Sequence, residues 1–267
     1  MRIDAFVTLA TVIATTIHAD PTLVDISKRP VPKDNKAIVV PLTVGSRERV
    51  GEETTKPPYK NRYKTSTTLV FQADRVILVD TGLPSQRGDV CRAVRNYGLK
   101  PAEVNYVVLT HSHFDHVSNA GMFKKATVYS DLAEIDNVNE VYSSGVFVTE
   151  AQKDKPGFGD TAIVEKQIAE QPQLRLLLTP GHAGGQFDRS LVVTKVQLGV
   201  GDEARDVGKL AIVGDLWTDI ADVATDDTSE RYKSQKKLVC DEKVDVIIPG
   251  HGALFEAADV KDKYSCS

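Results

Sequence analysis

Five apolar runs in this 267-residue chain break off in short polar loops that carry histidine or aspartate. They are ILVD, ending at Asp80; VVLTHSHFDH, holding His111, His113, Asp115 and His116; LLLTPGH, ending at His182; AIVGD, ending at Asp215; and VIIPGH, ending at His251. Short continuous apolar runs of this kind suit strands buried on both faces, as in layered α/β folds. Such layers collect functional side chains where strands end. Of the six histidines, only His18 falls outside this pattern.

The remaining segments fit the same layering. AIVVPLTV reads as a strand, with Pro41 best placed at an edge or bulge. Residues 45–65 read as a loop or hairpin tip. Thr67–Phe71 and Val76–Val79 form two strands across a QADR turn. Residues 84–97 predict a helix stopped by Gly98, and PAEV a short helix. VNYVVLT and ATVYS are strand-like, and DLAEIDNVNEVY reads as helical. Residues 143–161 read as a loop. LRLLLT, SLVVTKVQLG and LAIVGD read as strands. Residues 226–239 predict a helix capped by Thr228 or Ser229, and the tail reads as helical, then polar. No linker divides the chain, so residues 20–267 are expected to form a single domain.

Composition limits the partners. Hydrophobic residues make up 41% of the chain, enough for a substantial core. The formal net charge of −4 gives no bulk attraction to nucleic acid or acidic lipid. Three cysteines, Cys91, Cys240 and Cys266, allow one disulfide of unassigned pairing. The first 19 residues resemble a secretory signal cleaved after Ala19, which implies secretion. The alternative is a native first strand and a cytoplasmic or nuclear protein. No segment calls for stable membrane association.

Imidazole and carboxylate are natural ligands for zinc and similar divalent ions. His111 and His113 can converge from one loop, and His182 can complete a three-histidine set. Asp115 and His116 can face a second ion together with His251. Asp215 can bridge two ions roughly 3.5–4 Å apart. Glycines 181, 184, 185, 214, 250 and 252 flank these residues and permit tight turns.

The combination HSHFDH at 111–116, TPGH, GD after an apolar strand and PGHG resembles the metallo-beta-lactamase superfamily over about residues 65–255. The resemblance implies a four-layer αββα sandwich of α/β class, with a dinuclear centre between two sheets. It assigns His111, His113 and His182 to one ion, Asp115, His116 and His251 to the other, and Asp215 to both. Asp80, in VDTG, would orient the ligand loop. Ser118 in HSHFDHVSN stands where the family pattern has glycine. The strings TPGHAGGQFDRSLVV, AIVGDLW and SERYKSQKKLVCDEKVDVIIPGHG resemble an animal group related to the glyoxalase II-like branch. That group implies metal-dependent endoribonuclease cleavage in histone pre-mRNA processing.

The expected chemistry is hydrolysis by a hydroxide formed from water between two divalent ions. Zn2+ comes first, with Fe2+ and Mn2+ as alternatives. Asp115 is the expected catalytic residue, orienting the nucleophile while serving as a ligand. RNA is one substrate class, favoured by the basic strings RER, KNRYK and KSQKK. A small ester, thioester or lactone is the other, favoured by overall acidity and export. A metal-stabilised binding protein without turnover is the third reading. The resemblance also admits a homodimer.

Overall fold

The computed structural model describes residues 24–49, 61–130, 133–136, 141–143, 165–167, 173–183 and 188–266. The expected leader at 1–19, the expected loop at 144–161, and Gly184 and Gly185 lie outside them. The chain first forms β1 (Ala37–Thr43), β2 (Ser46–Arg49), β3 (Asn61–Lys64), β4 (Thr67–Gln72), β5 (Arg75–Val79) and α1 (Arg87–Asn96). Next come β6 (Tyr106–Val108), α2 (Phe114–Val117), β7 (Thr127–Ser130), β8 (Ala133–Asp136), β9 (Val141–Ser143) and β10 (Glu165–Gln167). The last part holds β11 (Leu174–Leu178), β12 (Arg189–Leu198), β13 (Arg205–Gly214), α3 (Glu230–Lys236), β14 (Val246–Pro249) and β15 (Phe255–Glu256).

Side chains alternate across each strand and so feed two cores at once. Val39, Val70, Ile77, Val79 and Val108 from the first half pack in one central cluster with Leu176, Leu191, Val193, Leu210 and Ile248 from the second. Their neighbours Ile38, Val40, Leu69, Leu78 and Val107 face outward and meet Val90 and Val94 of α1. On the opposite side Leu177, Val192, Ala211 and Ile247 pack with Trp217, Leu238 and Val239. The layers are therefore helix, sheet, sheet, helix. Burying each large aliphatic side chain stabilises this arrangement by about 1.5–3 kcal/mol.

The two half-sheets are joined rather than separate. β1 pairs in parallel with β12, giving one hydrogen-bonded path from β15 through β1 to β9. Pro41 lies at a register shift in β1, beyond the three residues that pair with β12. Its missing N–H therefore costs little there. The expected loop at 45–65 contains the β2–β3 hairpin, and its residues 50–60 lie outside the description. Ser229 caps α3 by accepting from Tyr232 N. α3 runs on into a π-helical turn, Lys237–Asp241, and Cys240 there is disulfide-bonded to Cys266.

Two expectations fail. DLAEIDNVNEVY supplies β8 and β9, which pair in sequence beyond β7. The ladder hydrogen bonds offered by the edge of β7 outweigh the helical leaning of Leu, Ala and Glu. The tail forms only short 3-10 turns, Ala257–Asp259 and Lys261–Lys263, because the chain must stay close to place Tyr264 in the outer core. No helix among the described residues is long and apolar enough to cross a membrane.

Candidate metal centre

Parallel pairing decides which loops leave the sheet together. β5 lies parallel to β6, so Asp80 and the 109–116 loop emerge side by side. β13 lies parallel to β14, so Asp215 and His251 do the same. The sandwich brings these pairs face to face. Ligand-type atoms of His111, His113, His182 and Asp215 lie within 4.8 Å of one another, as do those of Asp115, His116 and His251. Asp215 links the groups: its Oδ1 is 3.2 Å from His116 Nε2, and its Oδ2 is 3.2 Å from His251 Nε2 and 3.4 Å from His182 Nε2. Asp115 Oδ2 lies 3.2 Å from His251 Nε2 and 3.6 Å from His116 Nε2. All seven sequence-predicted ligands therefore meet in one place.

Asp80 organises the loop from beneath. It is buried with a positive φ of 56°, a conformation that non-glycine residues rarely hold without surrounding support. Its carboxylate accepts 2.8 Å hydrogen bonds from Thr110 N–H, the Thr110 hydroxyl and His116 Nδ1. With its proton committed to Asp80, the Thr110 hydroxyl accepts from His111 Nδ1 at 3.1 Å. His251 Nδ1 donates to the Lys64 carbonyl at 2.8 Å. These acceptors assign Nδ1 as the donor in all three rings and leave each Nε2 facing the centre.

The buried Nε2 atoms of His111, His116 and His251 and Oδ1 of Asp215 have no hydrogen-bond partner. Several lie close together yet are misaligned for mutual hydrogen bonds. They converge on common points, as cation ligands do, and burying such atoms without a partner is costly. The donor set of imidazole nitrogens and carboxylate oxygens suits a divalent metal, and the arrangement fits one.

The electrostatics agree. Burial opposes protonation of His116, but the Asp80 and Asp215 carboxylates override it and raise the pKa to about 10. For His251 burial is overridden by Asp115 and Asp215, raising the pKa to about 9. Burial, then the neighbouring His116 charge, lowers His111 to about 2. Burial opposes ionisation of Asp115, but close-lying His251 and the His116 charge lower its pKa to about 2. The same two histidines hold Asp215 well below the usual carboxylate range against its own burial. Without a metal, the carboxylates thus gather protons on His116 and His251, and a bound cation would take over that positive charge.

Close backbone approach explains two glycines. A Cβ on Gly250 would stand 1.9 Å from Asp215 Oδ1, and one on Gly214, at φ +53°, would stand 2.2 Å from Thr110 Oγ1.

Sequence reading left several positioning residues unassigned. Thr110 was visible only as the residue before His111. Asp188 accepts from the backbone N–H groups of Gly181, His182 and Ala183 at 3.2, 2.7 and 3.0 Å, and so shapes the TPGH loop. Thr65 donates to Asp115 Oδ2 at 3.2 Å. Asn119 donates to the carbonyls of Thr81, Gly82 and Leu83 at 2.9, 3.1 and 2.6 Å, tying the ligand loop to the turn after Asp80. Spacing carries no signal for Asp188, whose partners are backbone groups. Ser118 has helical φ of −61°, so the glycine of the family pattern is not required by backbone conformation here.

Comparison with known proteins agrees with this fold. The family model of the metallo-beta-lactamase superfamily matches residues 61–191. Metallo-beta-lactamase domain-containing protein 1 of Xenopus laevis is 31% identical over 190 residues, covering 71% of this chain and 71% of the relative. The human protein of that name is 31% identical over 179 residues, covering 67% of this chain and 59% of its own length. A crystal structure from Thermotoga maritima, assigned to the metallo-beta-lactamases, shares the fold at 18% identity, with a TM-score of 0.55 over 83% of this chain and 99% of that one. By fold, motif and identity, the chain belongs to the metallo-beta-lactamase superfamily.

Proposed function

We propose that this protein is a metal-dependent hydrolase with two divalent ions, zinc first among them, at the centre described above. The observation that carries the reading is the convergence of seven ligand-type side chains, four of whose buried nitrogen and oxygen atoms have no hydrogen-bond partner. His111, His113 and His182 would hold one ion, Asp115, His116 and His251 the other, with Asp215 shared. Ions at such a centre lower the pKa of water and stabilise negative charge that develops on substrate oxygen.

The protein's own groups do the rest. Asp80 and Thr110 lock the imidazole rings of His111 and His116 before substrate arrives. Asp115 is half-buried, with one carboxylate oxygen held by Thr65, and can orient the attacking water. Neither serine nor cysteine is required as nucleophile. Exposed Phe114, inside the ligand loop, offers an apolar surface to a substrate.

Single-stranded RNA is the substrate implied by the sequence resemblance. The second reading, a small ester, thioester or lactone, is favoured by Phe114 and by the Cys240–Cys266 disulfide, which suits an oxidising compartment better than a nucleus. Secretion after cleavage at Ala19 belongs with that second reading, and amino-terminal sequencing of protein from its own host would test it. The deciding experiment is metal quantification by mass spectrometry followed by turnover of both substrate classes by wild type and His116→Ala. Hydrolysis should accompany about two equivalents of metal and vanish in the variant. Full turnover after exhaustive chelation would reject the proposal.

A further inference from the structure

The β2–β3 hairpin stands beside the metal centre. Strand register sets Arg47 opposite Tyr63 and Glu48 opposite Arg62. The alternation of strand side chains puts the first pair on one face and the second on the other. On the second face Arg62 and Glu48 form an exposed ion pair at 3.3 Å. On the first, the Arg47 guanidinium lies over the Tyr63 ring, 5.9 Å from its centroid. The Tyr63 ring lies 5.3 Å from that of His251. The end of β3 is fixed there, because the Lys64 carbonyl accepts from His251 and Thr65 donates to Asp115. Arg47 is thus two ring contacts from a candidate ligand. It is exposed, and among the described residues it pairs with no carboxylate.

We propose that Arg47, held on Tyr63, is a specificity-determining residue that receives an anionic oxygen group of the substrate next to the bond hydrolysed at the metal centre. The inference rests on the hydrolase reading above. A guanidinium lying over an aromatic face gains a weak attraction and keeps its N–H fork for two oxygens of one anion. A chain of net charge −4 gives an approaching anion no general attraction, so a local cation must supply it. The matching chemistry is a carboxylate on an acyl substrate or a flanking phosphate on a short RNA.

Two matched pairs separate these sources. The first is 4-nitrophenyl hydrogen succinate against its methyl ester, and the second is 5′-phosphorylated UpU against UpU. Wild type should favour the member with the additional anionic group in one pair. Arg47→Ala should lower kcat/KM for that member by roughly ten- to a hundredfold, with the member lacking the added anion and the zinc content unchanged. Arg47→Lys should keep part of the preference. An Arg47→Ala effect that is equal on both members, or absent, overturns the proposal. Calorimetric titration of the zinc-loaded protein with succinate and with uridine 3′-monophosphate reads the subsite without turnover. Binding of one of them weakened about tenfold in Arg47→Ala supports it, and equal binding of both in the two proteins overturns it. A wild type that hydrolyses neither pair but shows the Arg47-dependent binding would sink the hydrolase reading alone.

Discussion

His116 and His251 sit in the interior with their Nδ1 atoms tied to Asp80 and to the Lys64 carbonyl. His113 and His182 lie toward solvent, where His182 Nε2 and His113 Nδ1 meet at 3.1 Å. The first pair is preorganised by buried partners. For the second pair, the nearest fixed support acts on the backbone of the His182 loop, through Asp188. The difference divides the centre: the inner side fixes charge and ring orientation, and the outer side stays open to solvent. An ion on the outer side should exchange more readily.

Asp215 belongs to both sides, so its loss should produce the largest effect. Asp215→Ala should reduce turnover on the order of 10³-fold and abolish tight binding of both equivalents in a metal titration. Retention of one tight equivalent would show that the two sides are independent.

Next in size is the contrast between the supports. Asp80→Ala strands the His116 and Thr110 donors in the interior, and metal affinity should fall about 10–100-fold in a chelator competition assay. Asp188→Ala, acting on the solvent side, should cost less than about tenfold. Equal losses would break the inner-against-outer distinction.

The metal-free protein sharpens the same point through pH. His116 and His251 have raised folded-state pKa values, so their stabilisation is complete below the unfolded value near 6.5 and is lost as pH rises through about 9 to 10. His111 is lowered to about 2, so its buried neutral form destabilises the fold as pH falls below about 6.5. Urea unfolding of chelator-treated protein should therefore show a maximum near pH 6.5. A flat profile from there to pH 10 would mean that the inner carboxylates do not hold those protons.

The smallest effect should come from Ser118→Gly. Ser118 donates to the Phe114 carbonyl within the ligand loop, and its backbone is already helical. Stability should change by less than about 1 kcal/mol, with metal content unaffected, as a thermal melt and metal analysis would report.

Much of this centre was legible in the chain. Histidine and aspartate at the ends of apolar runs gave both the strands and all seven converging side chains, because a strand end offers few functions for an imidazole placed beside glycines. The helix at α1 was readable from its apolar spacing and Gly98. β8 and β9 were not, since their residues favour a helix locally and became strands only by pairing beyond β7. The Cys240–Cys266 pairing was equally hidden, because three cysteines of similar standing differ only in where folding brings them.

Residue types and their spacing determined, without any coordinates, a layered α/β class, the candidate ligands and the chemistry those ligands permit, and the family resemblance implied the four-layer arrangement. Only the tertiary structure decided that Asp80 serves His116 and Thr110 at once, that Gly250 must lack a side chain to admit Asp215, and that Arg47 stands on Tyr63 beside His251. Periodicity is a local property carried by neighbours in the chain. Contacts between residues 36 or 35 positions apart depend on which strands pair in parallel, and the contact of His251 with the Lys64 carbonyl depends on how distant parts of the chain close on each other.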